Sequence, residues 1–418
     1  MRFQAPRGTQ DILPGASHAW RRIEQEFAWW ALLHGYREIR TPAFEDTELF
    51  VRTSGDTSDI VTKQMYTFVD KGGRSITLKP EGTAPAMRAL IEHGLCPPGT
   101  VTRLFYITPI FRYERPQKGR LRQAHQLGLE LVGSASPEAD AEVIALTVGF
   151  YRRIGIGSAR VLLNSLGRAQ CRASFRRAVL EHARPFLADQ PEEFRAKAEA
   201  NPLRLLDSKD PDVQRAMQGG PCVLDHLEPE SKARFEELQR LLAELGVEYE
   251  VRPDIVRGLD YYTETVFEVQ SGALGAQSAL CGGGRYDDLI HELGGPATPS
   301  VGVAMGIERA LLVLEAEGGL WPSERLDAYV ACAGAEARPV ARDVCRRLRE
   351  AGVSCVMDLD GRSLKAQMKQ ADRLAAKRVV LIGEEELAAG EATVRDLADG
   401  TQRRVPFAHL AMELGAAP

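Results

Sequence analysis

Three arginines set far apart in the chain share one local context. Arg112 stands in IFRYERPQKGRLRQ, Arg257 in VRGLDYYTE and Arg309 in GVAMGIERALL. Each ends an apolar, strand-like run or lies just inside a helix beside glycine. A guanidinium carries a permanent charge and a planar fork of donors that suits phosphate oxygens. Three of them converging would clamp a polyphosphate. Scattered, each is a surface arginine on its own element, as most arginines are. The Gly282–Gly284 run leaves a similar choice, between a backbone that approaches a ligand and a simple turn. The chain has no G-x-x-x-x-G-K-[ST], and no G-x-G-x-x-G opens a helix after a first strand. A phosphate-loop or dinucleotide fold is therefore unsupported, and a nucleotide held here needs another architecture.

The elements that must position these groups follow from pattern. Trp20, Ile23, Phe27, Trp30 and Leu33 recur at helical spacing and predict an amphipathic helix over Ala16–His34, with Gly35 as its stop. GYREIRT begins as a strand and breaks at Pro42. Ser75–Leu78, Arg103–Tyr113 and Gln126–Val132 carry strand patterns, and Pro109 predicts an edge, a bulge or a break in the second of them. PEADAEVIALTVGFYRRIG reads as a helix with proline near its start. Residues 167–245 are rich in Arg, Glu, Ala and Leu with little β-branching, and read as an inserted, wholly helical module. Strands return at Val247–Pro253 and Thr265–Val269. Ser300–Glu315 passes from strand to helix at Gly306. Beyond a boundary near Trp321–Pro322 come LDAYVACAG, a helix over Ala337–Ala351, VSCVMDL, a helix over Ser363–Ala376, RVVLIGEEEL and one final strand. That alternation predicts a small α/β domain with a largely parallel sheet.

Composition bounds the partners. The 418 residues are 44% hydrophobic and 27% charged, with a formal net charge of −5. This excludes a disordered chain and a generic polycation, so any nucleic acid must be met by local basic patches. The length fits two or three domains. MRFQAPRGTQDILPG lacks the pattern of a signal peptide, and no apolar run approaches the roughly 20 residues of a membrane span. Seven cysteines, an odd count without a C-x-x-C pair, fit a reducing cytosol and offer no thiolate zinc site.

Longer segments carry a family resemblance. GYREIRTPAFED resembles motif 1 of the class II aminoacyl-tRNA synthetases, with Pro42 as its proline. FRYERPQKGRLRQAHQLGLE resembles motif 2 and GVAMGIERALL motif 3. RGLDYYTETVFEV and GGGRYDDLI look like the two signature peptides of the histidyl-tRNA synthetase family. RGTQDILP, LKPEGTAPAMRA and SLKAQMKQADRLAAKRVVLIGEEE fit the same family. The resemblance spans nearly the whole chain and is weakest over the helical module. It implies an α/β protein. Residues 1–323 would form a catalytic domain on an antiparallel six-stranded sheet flanked by helices, with the helical insertion at about 167–245. Residues 324–418 would form an α/β anticodon-binding domain. It also implies ATP-dependent activation of L-histidine and its transfer to the 3′ end of tRNA(His). Mg²⁺ would assist, in a cytoplasmic homodimer built partly on motif 1 and Pro42.

The same resemblance assigns residues. Arg112 would hold the α-phosphate, Arg309 the γ-phosphate and the adenine face, and Glu114 the adenine, with Arg120 turned toward ATP. Arg257 would sit beside the substrate carboxylate and the α-phosphate. Attack of one anion on another builds charge there, which a placed cation neutralises. Glu81, Thr83 and Gln126 would take the α-ammonium, whose three donors suit a carboxylate and two neutral acceptors. Glu130 and Tyr262 would bracket the imidazole nitrogens, and Tyr261 and Tyr286 would wall the pocket. Without the resemblance, Glu81 and Glu130 read as surface or helix-capping carboxylates.

For tRNA, the Arg112–Arg122 loop sets Arg112, Arg115, Lys118, Arg120 and Arg122 against Glu114. Arg115 and Gln117 are the candidates near the 5′ end. Lys365, Lys369, Arg373 and Lys377 form a helical stripe, with Leu364, Met368 and Ala371 toward the core. The stripe suits RNA phosphates or a solvated face equally. No protein-held metal site is expected. Two positions depart from the family pattern: Ala124 where an aromatic is common, and Lys79 where arginine is frequent. Three rivals would lack part of this set. They are a non-catalytic paralogue serving as the regulatory subunit of ATP phosphoribosyltransferase, a tRNA-independent adenylating enzyme, and a class II synthetase for proline or threonine.

Overall fold

The computed structural model describes residues 3–54, 60–116, 119–206, 208, 210–255, 261–275 and 278–415. The chain divides into two compact units, Met1–Trp321 and Pro322–Pro418.

The strands of the first unit are β1 (Arg37–Glu38), β2 (Phe44–Asp46), β3 (Tyr66–Val69), β4 (Ser75–Leu78), β5 (Thr102–Phe111), β6 (Gln123–Val132), β7 (Arg160–Ser165), β8 (Tyr249–Val251), β9 (Thr265–Gln270), β10 (Ala279–Arg285) and β11 (Ser300–Gly306). Its helices are α1 (Pro14–Leu33), α2 (Thr47–Ser54), α3 (Thr83–Glu92), α4 (Pro137–Arg153), α5 (Ala169–Ala188), α6 (Glu192–Ala200), α7 (Pro211–Met217), α8 (Pro229–Glu244), α9 (Leu289–Glu292) and α10 (Ile307–Ala316). The main sheet runs β1-β5-β6-β11-β10-β9-β7-β8. Its six central strands are antiparallel, as the resemblance implies. A short parallel strand widens each edge, β1 beside β5 and β8 beside β7. The strands β2, β4 and β3 form a separate small sheet. No sequence expectation covered β7, because its apolar run, Val161–Leu163, is too short to separate strand from helix.

Pro109 lies inside an unbroken β5, so neither the bulge nor the break occurs. β1 covers β5 only at Leu104 and Phe105. Past that point β5 is an effective edge, and Phe111 N–H donates away from β6, to Lys79 O at 2.9 Å. Two residues earlier on the same side, the donor-less nitrogen of Pro109 leaves no ladder bond unmade.

α1 buries Trp20, Ile23, Phe27 and Ala31 against this sheet, while Leu33 is 59% exposed. The buried stripe therefore closes on Ala31, two residues before the expected Leu33. Ser136 caps α4 by accepting from Glu138 N–H at 3.2 Å, and Pro137 follows at the first turn. The helical module is smaller than expected. Phe175, Val179, Ala183, Leu187, Ala198, Val213 and Val223 make their own core. By contrast Phe235, Leu238, Leu241 and Leu242 of α8 belong to the main core with α4. α8 is the crossover helix that parallel β7 and β8 require, and the independent module ends before it.

The second unit contains β12 (Ala328–Cys332), α11 (Ala337–Glu350), β13 (Cys355–Met357), α12 (Leu364–Arg373), β14 (Arg378–Ile382), α13 (Glu384–Ala389), β15 (Glu391–Asp396), β16 (Gln402–Pro406) and α14 (Leu410–Leu414). The order is β13-β12-β14-β15-β16. The first three strands are parallel. The expected single last strand is instead an antiparallel pair, β15 and β16. On α12, Met368 and Ala371 pack inward but Leu364 is 40% exposed. Gln367 takes the buried place. Its amide donates to Cys332 O at 2.8 Å and Arg362 O at 2.7 Å, and its oxygen accepts from Cys332 N–H at 3.0 Å.

Candidate active site

One face of the main sheet is hollowed by small residues. Glu130 of β6 stands opposite Gly302 of β11, and Gly302 opposite Gly284 of β10. The next cavity-facing row is Gly128, Ala304 and Gly282. The glycine run is thus neither a turn nor a loop but a mid-sheet strand. Side chains would fill the trough: a Cβ at Gly302 would lie 1.9 Å from Glu130 Oε2, and one at Gly128 2.0 Å from the Tyr106 ring. On the other face Arg285 of β10 is fully buried. It donates to Asp140 of α4 at 2.5 Å, to Asp287 at 3.0 Å and to Ser134 O at 2.9 Å. That arginine fastens the strand to the helix beneath it.

The trough opens into a cavity of about 250 Å³. Its lining includes Glu81, Thr83, Arg112, Glu114, Arg120, Gln126, Tyr261, Tyr262, Tyr286 and Arg309. Residues from five separate stretches of sequence therefore meet. Arg257 lies outside the described residues, as do Gln117 and Lys118.

The deep end is a carboxylate held by phenols. Glu130 is fully buried and sits behind the lining, accepting from Tyr106 Oη at 3.1 Å and from Tyr286 Oη. Burial pushes its carboxyl up to about 8, even though the hydrogen bonds from Tyr286, Thr83 and Tyr106 favour the ionised form. Burial likewise drives the phenols of Tyr106 and Tyr286 well above their usual range, and the adjacent Glu130 adds to it. The Tyr261 ring packs against those of Tyr262 and Tyr286, with centroids 4.8 and 5.6 Å apart. Arg172 of α5 donates to Tyr262 O at 2.9 Å.

Glu81 serves two purposes that the sequence presented as alternatives. Its oxygens accept from Thr83 N–H at 2.7 Å and Ala84 N–H at 2.8 Å, which caps the first turn of α3. It also lines the cavity, where burial raises its carboxyl against the pull of those amides and of Arg112. The buried Oε1 of Gln126 has no hydrogen-bond partner, so an acceptor on the cavity wall is left for a ligand donor.

The outer end is cationic. Arg112 directs Nε to Pro80 O at 2.7 Å, and Arg309 directs Nε to Ala279 O. Burial depresses both guanidinium groups, although each keeps its charge. Glu114 lies 3.8 Å from Arg112 and 3.6 Å from Arg120. Arg122 does not face outward. It packs over the Tyr113 ring at 3.9 Å, donates to Glu114 O at 3.3 Å, and pairs its backbone with Gly8 and Arg112. Of the described loop cations, only Arg115 and Arg120 are exposed.

Of the two departures from the family pattern, Ala124 lines the cavity. Lys79 is buried, donates to Thr41 O and Oγ1 at 3.2 and 3.1 Å, and is pushed down to about 8 by burial. Sequence reasoning did not single out Tyr106, which donates to Glu130, or His125, Glu268 and Glu308, which also line the cavity. The signal for Tyr106 is strand alternation: Thr108 pairs with cavity-lining Gln126, so Tyr106, two residues earlier, shares that face beside Gly128. Among the described residues, no group of three or more His, Cys, Asp or Glu is placed to hold a metal ion. No described helix is long and apolar enough to cross a membrane.

A family model described as histidyl-tRNA synthetase matches residues 8–310, and one described as anticodon binding domain matches residues 327–416. The chain is 44% identical over 420 residues to the histidine–tRNA ligase of Bacillus velezensis, covering 100% of this chain and 99% of that one. Against the histidine–tRNA ligase of Geobacillus kaustophilus it is 47% identical over 415 residues, covering 98% and 97%. The crystal structure of apo histidyl-tRNA synthetase from S. aureus matches with a TM-score of 0.84 at 36% identity, over 99% of this chain and 100% of that one. With likeness running through both units in sequence and in structure, the chain belongs to the histidyl-tRNA synthetase family.

Proposed function

We propose that this chain activates L-histidine with ATP, releasing pyrophosphate, and then transfers the histidyl group to the 3′ end of tRNA(His). The observation that carries the reading is the floor of the cavity. A buried carboxyl held by two phenols, opposite two successive glycines, suits a flat ring that bears polar nitrogens. A site built to pair both imidazole nitrogens rejects amino acids that lack them, because its own buried groups are then left unpaired. Glu130, with Tyr262 across the trough, takes the imidazole, and Tyr261 and Tyr286 form the walls. Glu81, Thr83 and Gln126 take the α-ammonium. The unpartnered Gln126 Oε1 supports this assignment directly.

With the amino acid so fixed, its carboxylate points to the outer end, where the triphosphate lies. Arg112 orients the α-phosphate, Arg309 the γ-phosphate, and Glu114 and Arg120 the remainder of the nucleotide. Arg257 meets the charge that builds as carboxylate oxygen bonds to phosphorus and pyrophosphate departs. Alignment and charge neutralisation are then the catalysis. Magnesium, when bound, screens the phosphate oxygens. Glu268 of β9 fits as a single carboxylate ligand for an ion that keeps its waters and phosphates.

For tRNA, Arg115 meets the acceptor end together with Gln117. The second unit binds the anticodon, with Lys365, Lys369 and Arg373 exposed along α12, while Lys377 is paired with Asp327 at 2.7 Å. The domain limits proposed are 1–323 and 324–418. We place the protein in the cytoplasm as a homodimer. Phe44 and Phe68 support a second copy near Pro42, since they share one face of the small sheet and are 53% and 47% exposed.

The test is ATP–pyrophosphate exchange across a panel of amino acids, followed by charging of added tRNA. Exchange with histidine alone, then charging, is the expected result. Exchange with another amino acid, or none from folded protein, refutes the reading.

A further inference from the structure

We propose that Glu308 is a positioning residue for the phosphate end of the cavity. It acts through His125 to hold Arg309 against β6. The inference rests on the reaction proposed above.

The β6–β11 ladder ends at Gln126 opposite Gly306, because the chain turns into α10 at Ile307. His125 is the next residue of β6. Its partner on β5 is Pro109, whose nitrogen faces away from β6. In an antiparallel pair both partners face alike, so the His125 N–H is directed to the side that β11 has just left. A buried N–H abandoned there would be left unsatisfied.

Glu308 supplies the missing acceptor. Both of its oxygens lie 3.1 Å from His125 N, and Oε1 lies 2.9 Å from Nδ1. A carboxylate only accepts, so Nδ1 carries a proton and donates it. Trp20 of α1 fixes the ring from another side, edge to face with centroids 4.9 Å apart. One side chain thus extends the hydrogen bonding of the sheet by a residue and orients an imidazole at the same time. Glu308 itself is only 8% exposed.

What this clamp joins gives it a role in the reaction. The residue after His125 is Gln126, at the amino-acid end, and the residue after Glu308 is Arg309, at the phosphate end. Gln126 stays anchored without the clamp, because it is still paired with Thr108 of β5 and Gly306 of β11. Arg309 sits in the first turn of α10, and the clamp ties that turn to β6 one residue beyond the Gly306–Gln126 pairing. Loss of the clamp should therefore move ATP and leave histidine in place.

The experiment measures exchange kinetics on the full-length protein, with KM for ATP and for histidine determined separately. Wild-type exchange with histidine establishes the reaction, and its absence would overturn that reading rather than the clamp alone. Glu308→Gln keeps the bulk but opposes an amide to donors. It should raise KM for ATP about tenfold while KM for histidine stays within about twofold. His125→Ala should give the same split. His125→Asn, which returns a donor near the Nδ1 position, should recover part of it. The double variant Glu308→Gln/His125→Ala should be no worse than the worse single one, since both remove one interaction. Equal rises in both KM values, an unchanged KM for ATP in folded protein, or effects that multiply in the double variant would overturn the proposal. If Glu308→Gln does not fold, the contrast of His125→Ala with His125→Asn decides.

Discussion

At the floor of the cavity Glu130 takes hydrogen bonds from Tyr106 and Tyr286, and a row of glycines leaves its surroundings no slack. At the mouth the ion pairs are long, with Glu114 3.8 Å from Arg112 and 3.6 Å from Arg120. One end is complete inside the protein. The other gathers the cations Arg112, Arg120 and Arg309 around Glu114, Pro80 O and Ala279 O. The contrast follows from the two ligands. A small amino acid is discriminated by a rigid mould in which buried groups must be paired. A triphosphate brings its own charge, and needs donors already placed to meet it.

Variants at the two ends should fail differently. Arg257→Ala should have the largest effect, lowering the rate of adenylate formation by roughly 10³-fold with ATP binding retained. Single-turnover kinetics beside equilibrium binding measures this, and near-wild-type turnover would remove Arg257 from the assigned role. Glu130→Gln should act on the other ligand, raising KM for histidine about 100-fold with little change for ATP. A matched loss for both ligands would mean the two ends are not separable.

The same variant has a signature in stability. Glu130 moves from 4.5 to about 8 on folding. Between those values the folded state binds the extra proton, so this group's contribution is full below about pH 4.5 and is lost as pH rises through about 8. Unfolding free energies from urea titrations should show a decline of a few kcal/mol over that window in the wild type and a flatter profile in Glu130→Gln. Equal slopes would show that the buried carboxyl titrates elsewhere. Gly302→Ala is the mildest test of the mould. The added methyl meets Glu130 Oε2 and Leu129 O, and should cost about 1–3 kcal/mol in denaturation. A neutral result would mean the trough has room to spare.

Much of this was legible in the residues. The motif 2 and motif 3 arginines, the PEGT segment and the tyrosines of the signature peptides carry distinctive chemistry, and Arg112, Arg309, Glu81 and Tyr262 do meet at one cavity. What escaped reading depends on register. Tyr106 looks like any strand aromatic until it is known to lie beside Gly128. Glu308 looks like an ordinary first-turn carboxylate until the ladder is seen to end at Gly306. The glycine run could not be told from a turn, because glycine states a need for space without saying what fills it. The limits of the helical module were hidden for another reason. α8 has the same Arg, Glu and Leu texture as α5, and only its packing with α4 assigns it to the main core.

That assignment bears on how the gene could be rearranged. The module leaves the sheet at Gly167, whose φ of +63° turns the chain, and returns at Leu227. A Cβ at Gly167 would lie 2.9 Å from Leu227 Cδ2. Entry and exit are therefore neighbours, and β7, α8 and β8 form a finished crossover without what lies between them. Such a site works as a socket. A shorter linker or a foreign domain with adjacent termini can be plugged in there while the catalytic sheet keeps its register.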